Sequence, residues 1–71
     1  KKNKNLVIPR QIAMYLSRKL TSLSFPDIGA KIGGKDHSTV IYATNKVKDL
    51  LEKDPKIMAS VREIEDALNR S

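Results

Sequence analysis

Apolar residues recur at steps of three and four through most of this chain, and nowhere do they alternate with polar ones over a strand-length run. A helix returns to the same face every 3.6 residues and a strand every two. The pattern predicts an all-α fold, a small helical bundle with four helical segments. Ile12, Ala13, Leu16, Leu20 and Leu23 mark the first helix over about residues 9–22, with Pro9 at a first helical position, where its missing N–H costs nothing. Ser24-Phe25-Pro26-Asp27 has the form of a capping box with Asp in place of Glu, and opens a short helix carrying Ile28 and Ile32. Gly33-Gly34 ends it and permits a sharp reversal. Asp36 or His37 opens a third helix, with Val40, Ala43, Val47, Leu50 and Leu51 on one stripe. Asp54-Pro55 ends that helix and caps a fourth, with Ile57, Val61, Ile64 and Leu68 as its stripe.

Seventy-one residues make one small domain, with its N-terminal basic arm over about 1–8, a central unit over about 25–50 and a last helix over about 55–70. The absence of Met at position 1 and of a secretory segment suggests a piece of a longer cytoplasmic protein. No apolar run approaches the roughly 18–20 residues of a membrane span. Without cysteine there is no disulfide scaffold, zinc finger or thiol nucleophile. Three aromatics argue against the stacking sheets of single-strand binders. Charge is segregated: residues 1–48 carry ten Lys/Arg against two acids, net +8, and residues 49–71 carry four against six, net −2. A basic body with an acidic tail suggests one side facing a polyanion and one facing solvent.

A short helix, a glycine turn and a longer helix with a polar start follow helix-turn-helix logic, in which the second helix enters the DNA major groove with its N-terminal residues toward base edges. Here that start is Lys35-Asp36-His37-Ser38-Thr39. Asp accepts from the cytosine amino group, His and Ser donate or accept, and the Thr methyl suits a thymine methyl. Asp36 equally fits a plain helix cap, with its neighbours merely solvated. Both readings stand at this point. The turn is longer than the usual three or four residues, so this is a variant of the motif.

Other patterns fail on chemistry. Gly29 to Lys35 fits the first seven positions of a P-loop, but Asp36 stands where Ser or Thr must meet magnesium, and no strand precedes it. Asp36, His37 and Ser38 are triad residue types, yet adjacent helix positions point apart. His37 has no partner set for a metal. Tyr15 and Tyr42 read as half-buried packing residues, and Lys48 with Glu52 as an ordinary i,i+4 pair.

The run Gly33-Gly34-Lys35-Asp36-His37-Ser38-Thr39-Val40 resembles the signature of the C-terminal DNA-binding domain of the bacterial replication initiator family DnaA. Pro9 to Leu16 is similar to that family's preceding helix, and Phe25-Pro26-Asp27-Ile28-Gly29 to the start of its first helix-turn-helix helix. Three separated blocks agree in register over about residues 6–50. The family often has Arg at Lys35, Thr at Ser38 and Leu at Phe25, and an arm richer in Arg than Lys1, Lys2 and Lys4. Its domain also has a helical segment ahead of this arm that these residues do not include.

The resemblance implies that Asp36, His37 and Ser38 read bases of a DnaA box. It implies that Arg10, Gln11, Lys35, Thr39 and Lys46 hold phosphates or groove edges. Phe25 and Pro26 would lie against the backbone or a thymine methyl, and Lys2 or Lys4 in or beside the minor groove. The partner is double-stranded DNA, and the role is initiation and regulation of chromosome replication. The chain itself is no enzyme and needs no cofactor: the family places ATP and magnesium in an upstream ATPase domain, and self-assembly in parts outside this chain. Localisation would be cytoplasmic, at the nucleoid. The alternatives from composition are a helix-turn-helix transcriptional regulator and a protein-interaction bundle, the latter using Arg62, Glu63, Glu65 and Asp66 on the last helix. Binding to an anionic membrane surface is weaker, because no exposed apolar face accompanies the lysines.

Overall fold

The first helix, α1, runs over Val7–Leu20 in the computed structural model, which describes residues 6–70. It begins two residues earlier than the sequence pattern places it, so Val7 and Ile8 belong to the helix rather than to an arm. Pro9 becomes its third residue. That is tolerated because the first N–H groups of a helix have no intrahelical acceptor. Lys1, Lys2 and Lys4 lie outside the described residues. The helix ends at Leu20 because Thr21 turns extended, its hydroxyl donating to the Ser17 carbonyl and accepting from the Leu23 amide.

Helix α2 covers Phe25–Lys31. The Ser24 hydroxyl accepts from the Asp27 amide at 3.2 Å, and Pro26 sits in the first turn. Gly33 and Gly34 follow with φ of +79° and +63°, the left-handed region that side chains oppose. The turn then folds back so closely that the Lys35 amide donates to the Gly29 carbonyl at 2.7 Å. A Cβ on Gly29 would lie 2.1 Å from the Lys35 carbonyl oxygen, so only glycine fits there.

Helix α3 spans His37–Lys53, capped by Asp36, and α4 spans Pro55–Asn69, where Asp54 accepts from the amides of Lys56 and Ile57. The expected all-α class is borne out: four helices and no strand occur among the described residues. α3 is the central strut. On one side Met14, Ile28, Val40 and Ala43 join α1, α2 and α3, with Leu23, Phe25 and Ile32 around them. On the other, Ile12, Leu16, Val47 and Val61 join α1, α3 and α4, backed by Ile8, Tyr15, Leu51 and Ile57. Serving both clusters gives α1 a buried face wider than one stripe. Met14 is therefore in the core although the stripe omits it, while Ala13 is exposed.

The stripe on α4 is only half used. Val61 is buried, but Ile64 and Leu68 are 43% and 52% exposed. Lys19 of α1 ties the later part of the helix through a 3.0 Å ion pair with Glu65. On α3 the i,i+4 ion pair is Asp49–Lys53, one register away from Lys48 and Glu52. No helix is long and apolar enough to cross a membrane.

Candidate nucleic-acid interface

The polar start of α3 is built around one oxygen. Asp36 Oδ1 accepts from the Thr39 amide at 3.1 Å, the Ser38 hydroxyl at 3.0 Å and the Thr39 hydroxyl at 3.1 Å. The Thr39 amide first, then the two hydroxyls, hold the Asp36 carboxyl below its ordinary pKa. Asp36 is thus a helix cap in the free protein. Its Oδ2 takes none of these three bonds, and an ionised carboxylate accepts at both oxygens. His37, Ser38 and Thr39 are all exposed beside it. Two consecutive left-handed glycines before them make the reversal from α2 into the helix start.

Helical periodicity divides the solvent side of α3. Thr39, Tyr42 and Lys46 share one edge at steps of three and four. Against it α1 brings Arg10 and Gln11, and the turn brings Lys35. Arg10, Gln11, Lys35, Thr39 and Tyr42 line one cleft of 140 Å³, floored by Met14 and Ala43. Four of the five residues assigned to phosphates or groove edges therefore meet, although they lie up to 29 positions apart in the chain. Lys46, the fifth, is exposed two turns along the same edge. The buried Gln11 Oε1 finds no hydrogen-bond partner among the described residues.

Phe25 and Pro26 do not join that cleft. Phe25 is half-buried at the start of α2, under the Arg18 guanidinium at 4.7 Å, and Pro26 is exposed beside it. The P-loop pattern dissolves in the fold, since Gly29 to Lys31 are helical rather than a phosphate-cradling loop. Among the described residues no group of three or more His, Cys, Asp or Glu is placed to hold a metal.

Residue-type reasoning missed Tyr42 and Arg18. Tyr42 is 61% exposed rather than half-buried, because it sits three residues from Thr39 on the outer edge of α3. The available signal was that spacing, set against a core stripe running through Val40, Ala43 and Val47.

Two helices set across a glycine turn, the second with an exposed polar start and a basic edge, define a helix-turn-helix module. The chain belongs to the bacterial DnaA helix-turn-helix family: the family model described as "Bacterial dnaA protein helix-turn-helix" matches residues 1–47. It is similar to "Chromosomal replication initiator protein DnaA" of Enterococcus faecalis, at 56% identity over 97% of this chain and 15% of that protein. The protein of the same name from Levilactobacillus brevis is 50% identical over 99% of the chain and 16% of the relative. That from Pelobacter propionicus is 56% identical over 90% of the chain and 14% of the relative. The chain thus spans a small part of the length of these curated relatives.

Proposed function

We propose that this chain binds double-stranded DNA sequence-specifically at the DnaA boxes of a replication origin, for the initiation and regulation of chromosome replication. The observation that carries this reading is the cleft where Arg10, Gln11, Lys35 and Thr39 converge beside the exposed start of α3. Cations beside a polar helix start suit a duplex, because phosphate contacts fix register while base-edge contacts read sequence. α3 enters the major groove. His37 and Ser38 face base edges, and Asp36 reaches a cytosine amino group with the oxygen that its cap leaves over. Arg10, Gln11, Lys35, Thr39 and Lys46 hold phosphates or groove edges along one side. Pro26 and Phe25 rest against the backbone or a thymine methyl. The arm lysines Lys2 and Lys4 add minor-groove contacts.

The chain performs no catalysis on this reading. ATP and magnesium belong to an ATPase domain elsewhere in the full protein, and self-assembly to parts outside these residues. The site of action is the cytoplasmic nucleoid. Binding selection from random duplex DNA with this chain tests the proposal: enrichment of one short box supports it, and recovery of unrelated sequences contradicts it.

A further inference from the structure

The other edge of α3 carries a second basic groove, of whose lining residues the roles above use only Phe25. His37, Ile41, Thr44 and Lys48 follow one another at steps of four, three and four. Tyr15, Arg18, Lys19, Phe25, Thr44 and Lys48 line a groove of 440 Å³ between this edge and α1. Its cations differ in availability. Lys19 is committed to Glu65 at 3.0 Å. Arg18 is pre-oriented, donating to the Leu23 carbonyl at 2.9 Å while lying over the Phe25 ring, and it has further N–H groups to give. Lys48 is exposed and makes no ion pair among the described residues.

Beneath them lies an unexplained polar group. Thr44 is only 6% exposed, and its hydroxyl has no hydrogen-bond partner among the described residues. A threonine inside a helix can bond back to the carbonyl one turn earlier, and this one does not. An unsatisfied buried hydroxyl is costly, so its presence beside Arg18, which has N–H groups to spare, and Lys48, unpaired among the described residues, points to a ligand.

We propose that Lys48, Arg18 and the Thr44 hydroxyl seat a backbone phosphate on the DNA strand across the major groove from the strand held by Arg10 and Lys35. The seat rests on the duplex-binding reading. A major groove about 12 Å wide is walled by two phosphate chains. A helix lying in it with cations on one edge would engage one wall, whereas α3 has them on both.

The experiment uses the 71-residue chain and its best-bound duplex, with single phosphates replaced by neutral methylphosphonates along each strand. Lys48→Ala should weaken binding and lower the steepness of the log–log salt dependence by about 0.9. The methylphosphonate that Lys48→Ala no longer senses should lie on the opposite strand from the one that Arg10→Ala no longer senses. Thr44→Val keeps the shape and removes the hydroxyl. It should melt at or above the unmodified chain while binding DNA about two- to tenfold more weakly. An unchanged salt slope in Lys48→Ala, both silenced phosphates on one strand, or undiminished affinity in Thr44→Val would each overturn the seat while leaving duplex recognition standing. Absence of any duplex preference in the unmodified chain would remove both readings together.

Discussion

At Asp36 a single carboxylate oxygen takes three donors, and the start of α3 depends on its charge. Folding lowers the pKa of this group. A lowered carboxyl contributes stability that is present above its unfolded value and is lost as pH falls through the folded one. Acid melting curves of Asp36→Asn, which keeps a capping side chain but does not titrate, should lose less stability over that window than the unmodified chain. Equal acid sensitivity would show that the cap does not govern it. His37 carries no such structural duty. His37→Ala should melt like the unmodified chain yet lose about 1–3 kcal/mol on a specific duplex. Equal losses on specific and random DNA would reassign it to non-specific contact. Both residues were legible as a polar helix start. The choice between cap and reader for Asp36 was not, because a hydrogen bond to Thr39 leaves no trace in residue order. Gly29 was less legible still. Its constraint is the Lys35 carbonyl that the turn brings to within 2.1 Å of a Cβ, a distance that exists only after folding.

Elements were easier to read than their ends. Stripe periodicity marked all four helices, and Ser24, Asp36 and Asp54 marked three starts by residue type. The start of α1 was missed because Val7 and Ile8 precede a proline, which ordinarily disfavours helix behind it. The α4 stripe misled in the opposite way. Val61 and Ile64 share a helical face in sequence, but Val61 packs against Ile12, Leu16 and Val47 while Ile64 is left 43% exposed. Val61→Ala should therefore cost about 2 kcal/mol in chemical denaturation, from two lost methyl groups and the space they leave. Ile64→Ala should stay within roughly 0.5–1 kcal/mol. Equal costs would contradict the placement of α4. In the turn, Gly34→Ala forces a side chain into the left-handed region and should cost about 1–2 kcal/mol. Gly29→Ala should cost more, since backbone rather than open space opposes it.

For the molecule as a whole, the segregated charge acquires meaning once the chain is folded. Among the described residues, Arg10, Lys35 and Lys46 lie along one edge of α3 and Arg18 and Lys48 along the other, and most of the acids fall on or near α4 and the end of α3. Arrangement of this kind favours approach to a polyanion from one side. If about five to eight phosphates are neutralised, the log–log salt slope of binding should be roughly −5 to −7. Arg10→Ala should flatten it by about one unit and weaken specific and random DNA alike. The most direct measurement titrates the 71-residue chain and its His37→Ala variant against a DnaA-box duplex and a scrambled duplex across a salt series. The proposed function predicts tight box binding by the unmodified chain, a steep slope on both duplexes, and box preference that His37→Ala largely removes. Equal affinity of the unmodified chain for box and scrambled duplex, or a slope near zero, would contradict it.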